Sequence, residues 1–134
     1  MENFILEKDI KVFCVTAASF PDGVKSAHET LHSLVPFSNE RKYFGLSRPE
    51  NGVIIYKAAA EEKKAGEGES LGCETIVIKS GRYICLTVLD FMNDVPAIGK
   101  AFQELLTRPD LDPEGYCVEW YLNEKDVKCM IRII

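Results

Sequence analysis

The chain writes one pattern twice, and that repeat constrains its fold more than any other feature. Residues of about 9–60 and 82–134 each read strand, helix, strand, strand. A shift of 74 residues lays Ile10 on Ile84, Val12 on Leu86, Val24 on Ile98, Ala27 on Ala101, Leu31 on Leu105 and Val53 on Val127. Few of these pairs are identities. What repeats is the order of the periodicities: alternation in the strands, a 3.6-residue stripe in the helices. The expected fold class is therefore α+β. Two pseudo-twofold-related units form antiparallel sheets, a helix packs on each, and a ligand cleft opens at the seam. With 134 residues the chain is one domain.

The elements follow from local chemistry. Ile10 to Ala18 is β-branched and apolar and reads as a strand, broken by Pro21-Asp22-Gly23. Val24, Ala27, Leu31, Leu34 and Val35 fall at helical spacing, and Pro36 ends that helix. Lys42–Arg48 and Val53–Ala60 form a hairpin about Pro49-Glu50-Asn51-Gly52, where Asn-Gly suits positive φ angles. Residues 61–70, charged and containing glycine, read as a mobile loop or linker. Glu74–Lys79 and Tyr83–Leu89 read as a second hairpin about Ser80-Gly81. Asn93 or Asp94 is expected to cap a helix with Pro96 in its first turn and a stripe of Val95, Ile98, Phe102, Leu105 and Leu106. Tyr116–Leu122 and Val127–Ile134 form the last hairpin.

Charge and cysteine usage narrow the function classes. Sixteen basic against 21 acidic residues give a net charge of −5, which argues against nucleic-acid binding through bulk positive charge and suits cationic ligands. No apolar run approaches the roughly 20 residues of a membrane span. The N-terminus, with Glu2 beside a short apolar patch, does not read as a signal peptide. Five cysteines, an odd number with no C-x-x-C pair, read as small buried hydrophobes in a reducing cytoplasm. The expected location is cytoplasmic.

His28-Glu29-Thr30-Leu31-His32 matches H-E-x-x-H, whose histidines share a helix face and can ligate zinc. These are the only two histidines, so a third ligand would have to be a carboxylate. In the repeat His28 falls on Phe102 and His32 on Leu106, both apolar helix positions. A core-edge histidine at His28 and a boundary histidine at His32 are the expectation, with no metal and no cofactor.

Tyr116-Cys117-Val118-Glu119-Trp120-Tyr121-Leu122 is the most informative stretch. Alternation sends Cys117, Glu119 and Tyr121 to one face and Val118, Trp120 and Leu122 to the other. The second face is apolar enough to meet a helix, so Glu119 is expected opposite the helix, in the cleft. A carboxylate among aromatics is costly to bury without a partner; a cationic ligand supplies one, with cation–π attraction besides. The repeat counterpart of Glu119 is Gly45, which leaves space on that face. Tyr56, followed on its face by Ala58 and Ala60, opens further room. Tyr83 is placed at the cleft mouth, and Phe20 and Phe91 in equivalent strand-to-helix loops. The candidate ligand-binding set is Glu119, Tyr121, Tyr56, Tyr83, Phe20 and Phe91.

The run Gly81-x-Tyr83, the helix Ile98 to Leu106, Glu119-x-Tyr121 before a terminal strand, and the segments Tyr43-x-Gly45 and Tyr56-x-Ala58 together resemble the GyrI-like domain, also the effector-binding domain of AraC-type and MerR-type bacterial transcription regulators. The resemblance covers residues 8–134. It implies paired strand–helix–strand–strand units around a cleft for bulky lipophilic, often cationic or aromatic compounds, with a central Glu meeting the ligand's charge. That role carries onto Glu119 and the aromatic role onto Tyr121. About nine residues precede the first strand, so a DNA-binding helix-turn-helix is not expected, and the resemblance is to a stand-alone sensor or drug-sequestering form. Some stand-alone members resemble hydrolases of strained-ring, cyclopropane-bearing compounds that use the same Glu, here with Tyr121. A protein-interaction adaptor, with a protein partner or a homodimer, is a further alternative.

Overall fold

The computed structural model describes residues 1–134. Its elements are β1 (Glu2–Leu6), β2 (Ile10–Thr16), α1 (Val24–Leu34), β3 (Tyr43–Glu50), β4 (Val53–Glu61), α2 (Glu67–Ser70), β5 (Glu74–Ile78), β6 (Gly81–Val88), a 3-10 turn (Phe91–Asn93), α3 (Pro96–Leu105), β7 (Cys117–Tyr121) and β8 (Val127–Arg132). The strands form one curled antiparallel sheet in the order β1-β6-β8-β7-β3-β4-β2-β5. Read outward from the β7·β3 junction, the two halves of that order mirror each other, and α1 packs on β4 and β2 as α3 packs on β6 and β8. The architecture is the expected α+β arrangement of two pseudo-twofold-related units.

Each unit carries a leading strand: β1, which the sequence reading left out, and β5, which it read as a hairpin arm; the two leading strands are exchanged. β1 pairs with β6, and β5 pairs with β2. Glu74–Ile78 and Gly81–Val88 are therefore not a hairpin, as the Ser80-Gly81 turn suggested. Gly81, at φ 132, turns the chain so that β5 closes one edge of the sheet while β6 opens the other half. This exchange ties the halves together through both edges.

The single shift of 74 residues holds for the helices, where Ala27 and Ala101, and Leu31 and Leu105, are all buried. It fails for the outer strands. Ile10 packs with the strand-only cluster, whereas Ile84 faces α3. Phe13, under α1, is the positional counterpart of Ile84. Likewise Val53 is exposed while Val127 is fully buried, and Tyr56 takes the place opposite Val127. The 3-10 turn before α3 has no equivalent before α1, and Ile84 lies 17 residues before Ala101 where Phe13 lies 14 before Ala27. A one-residue slip in a strand reverses its faces, which is why a pattern-level shift can fit the helices and misplace strands.

Three clusters form the core. One lies inside the curl and consists of strand residues alone, among them Leu6, Val12, Phe44, Leu46, Ile78, Tyr83, Val118 and Met130. The other two lie under α3 and α1. Residues 61–70 finish β4 and form the helical turn α2, which Arg41 grips through a two-pronged bond to Glu67 at 2.9 Å in each arm. Neither Asn93 nor Asp94 caps α3: its N-cap is Val95, without a side-chain bond, and Pro96 opens the helix where no N–H partner is needed. All five cysteines are free. No helix is long and apolar enough to cross a membrane.

Candidate functional site

β7 delivers Cys117, Glu119 and Tyr121 to one face, as alternation requires. That face is the helix side of the sheet, not the side opposite. Val118 and Trp120, read as the helix-packing face, instead fill the strand-only interior created by the curl. The helices stand on the flanking strands and leave β3 and β7 uncovered between them. The result is an open cleft of about 1620 Å³ whose floor includes Tyr43, Tyr56, Cys117, Glu119 and Tyr121.

Glu119 occupies the middle of that floor. In the β3·β7 ladder it lies directly across from Gly45, its own counterpart in the repeat, so the pseudo-twofold axis passes between them. Symmetry places a carboxylate against a bare backbone. A methyl group at Gly45 would run into the Tyr56 hydroxyl and come within 3.1 Å of Glu119 Oε1. The missing side chain is what lets Tyr56 reach across.

A single hydrogen-bond chain results. Tyr121 Oη donates to Glu119 Oε1 at 2.6 Å. Tyr56 Oη lies 3.1 Å from Tyr121 Oη and 3.4 Å from the same carboxylate oxygen. His28 Nε2, from α1, stands 2.8 Å from Tyr56 Oη. With a hydrogen on Nε2, His28 donates to Tyr56, and both phenolic hydrogens turn toward the carboxylate. Oε1 thereby takes every bond the protein offers, while Oε2 has no protein donor and is not sealed from the cleft.

The electrostatics follow from burial without a counter-charge. Burial holds the Glu119 carboxyl above the usual carboxylate range, and the hydrogen bonds from Tyr121 and Tyr56 offset only part of that shift. No Lys or Arg acts on it. Burial, and then the carboxylate, raise both tyrosines. The same two causes push Cys117 to about 11, and Cys129 to about 12. Burial, aided by His32, lowers His28 to about 4, so its imidazole is neutral at ordinary pH.

Of the candidate residues, the structure brings five together. Phe20 stacks on Tyr56, with ring centres 5.9 Å apart and planes 23° from parallel, and Phe91 sits 5.7 Å from Tyr121. Tyr83 is not among them. It faces the strand-only interior and donates to the Lys79 carbonyl at 2.6 Å, beside a separate hollow of about 200 Å³. The mistaken β5–β6 hairpin put it at the cleft mouth; the pairing of β6 with β1 and β8 turns it away.

Sequence reasoning missed His28 as a member of the site, and Tyr43 with it. Its signal was the H-E-x-x-H spacing itself, which places both histidines on the cleft side of α1. His28 meets Tyr56 and Tyr121, and His32 meets Tyr43 at 5.0 Å between ring centres. No group of three His, Cys, Asp or Glu side chains is placed to hold a metal ion.

No family model matches the chain, and no curated protein matches it. Solved structures do. An integron cassette protein from the mobile metagenome of Vibrio cholerae superposes with a TM-score of 0.69 at 13% identity, covering 99% of this chain and 95% of its own. SAV2435 bound to tetraphenylphosphonium gives 0.64 at 9% identity, covering 100% and 94%. A hydrolase from Listeria innocua gives 0.56 at 10%, covering 99% and 90%. The first two are of the GyrI-like fold type. At these identities the likeness establishes the fold.

Proposed function

We propose that this chain is a GyrI-like module that binds bulky lipophilic cations in the cleft, with Glu119 as the charge anchor, and serves as a sensor or a sequestering protein. One observation carries this reading: an uncompensated carboxylate on the floor of a large aromatic-lined cleft, with one oxygen bonded by tyrosines and the other open. A cation at Oε2 supplies the charge the protein withholds, and Phe20, Phe91 and Tyr121 offer ring faces to it. That SAV2435 was solved with a lipophilic cation on the same fold supports the choice of ligand class. The test is titration of tetraphenylphosphonium into wild type and Glu119→Gln. The anchoring role requires about 10- to 100-fold weaker binding in the variant, and equal affinity removes it.

A second reading has its own support. A buried carboxyl held above its ordinary range and bonded by Tyr121 has the chemistry of a general acid, and one structural neighbour is a hydrolase. In this reading a ring C–C bond of a strained-ring electrophile breaks, Glu119 protonates the released carbon, water adds to the other carbon, and the proton that water loses returns to the Glu119 carboxylate. Turnover of a cyclopropane-bearing compound, lost in Glu119→Gln, would place catalysis ahead of binding.

A further inference from the structure

The two walls of the cleft occupy symmetric positions and have opposite chemistry. Where α1 carries His28 and His32, α3 carries Phe102 and Leu106 at the same places in the repeat, and Gly99 stands where α1 has Lys25. Polar groups line the α1 wall. The α3 wall is an apolar strip running from Met92 and Val95 through Ile98 and Phe102 to Leu106. Much of that strip faces water: Met92 is 68% exposed, Val95 56% and Leu106 53%. An apolar strip left open beside a charged floor marks a binding surface.

The cavity, at about 1620 Å³, exceeds the roughly 300–1,000 Å³ of an ordinary small-molecule site. A compact cation on Glu119 therefore leaves much of it empty. From these two observations we infer that the ligand is an amphipathic cation: a positive head seated at Glu119 and an extended hydrocarbon arm laid along the α3 strip. The inference rests on Glu119 as the anchor and adds the direction and chemistry of the rest of the molecule. Small size is not the selected property; a head joined to a long apolar arm is. The symmetric alternative, an arm along α1, would press hydrocarbon on Lys25, Glu29, His32 and Ser33, polar groups to which it offers no hydrogen bond.

A homologous series separates the parts. Alkyltrimethylammonium ions with chains of four to twelve carbons, each kept below its micelle-forming concentration, are titrated by calorimetry into wild type, Glu119→Gln and the double variant Val95→Ser with Leu106→Ser. Both substituted side chains are more than half exposed, and Ser at an N-cap such as Val95 favours the helix, so the fold is expected to persist. The inference requires affinity to climb about three- to fourfold per added methylene over the series. It also requires that slope to flatten in the double variant and the whole series to weaken in Glu119→Gln. A series that needs Glu119 but shows no dependence on chain length, or an unchanged slope in the double variant, overturns the arm and leaves the anchor. No binding of any member, with tetraphenylphosphonium also silent, overturns the anchor itself. Equal binding of long-chain alcohols shows a plain apolar groove and overturns the amphipathic requirement.

Discussion

Gly45 lies directly opposite Glu119 across the β3·β7 ladder, and the space it leaves holds the Tyr56 hydroxyl. The pair is the pseudo-twofold axis of the molecule and also the centre of its cleft. A symmetric frame has thus produced an asymmetric site, with one carboxylate where two would repel.

Gly45→Ala tests that relationship. Tyr56 is 1% exposed and has nowhere to retreat, so the added methyl forces it off Glu119. The expected cost is about 1–3 kcal/mol, in the range of overpacked cores, read by denaturant unfolding. Cation affinity falls as well, because Tyr56 no longer helps hold Oε1.

The repeat, the helices α1 and α3 and the β3–β4 and β7–β8 hairpins were legible because each rests on local periodicity and turn chemistry. The exchange of β1 and β5 was not, since it joins residues in different repeats and no local pattern encodes a partner that distant. Misplacing Tyr83 followed from that gap. The face of Glu119 was read by the right alternation and the wrong assumption: Val118 and Trp120 are buried by the curl of the sheet, not by a helix. His28 looked like an ordinary core histidine because nothing in its own segment shows that Tyr56 will stand beside it.

Glu119 gives a pH signature with a definite sign. Its folded-state carboxyl titrates above the unfolded value of about 4.5, so the native state holds more protons in the window between the two. Stability from this group is full below the unfolded value and declines as pH rises through the window. Glu119→Gln should remove that decline and gain stability over wild type above it, as thermal unfolding across pH will show. Cation affinity runs the other way. It rises by up to about tenfold per pH unit until the carboxyl is ionised, then levels off.

His28 has the opposite linkage. Burial takes its pKa from 6.5 to about 4, so the unfolded chain binds more protons between those values. Its contribution to stability is present above about 6.5 and is lost as pH falls toward 4, by no more than about 3 kcal/mol. An NMR titration of the imidazole carbons should find no protonation near pH 6. His28→Phe, which copies Phe102 of the other half, should remove this acid sensitivity. It should also lower cation affinity, because Tyr56 loses the donor that directs its own hydrogen inward.

Arg41 and Glu67 hold residues 61–70 against the sheet. The Arg41 guanidinium keeps the Glu67 carboxyl down at about 2. Stability from this pair is therefore present above about 4.5 and is lost as pH falls through about 2. Glu67→Gln should cost about 1 kcal/mol, near the upper end for ion pairs that remain partly solvated. Amide exchange in α2 should speed up while β3 and β4 remain protected.

Charge selection at the floor of the cleft is tested most directly with tetraphenylphosphonium and tetraphenylborate, two ions of nearly one shape and opposite sign. The account predicts that wild type binds the cation at least about 100-fold more tightly than the anion, and that Glu119→Gln loses most of that preference through weaker cation binding. Equal affinity of wild type for both ions, or a preference that survives the substitution, would contradict it.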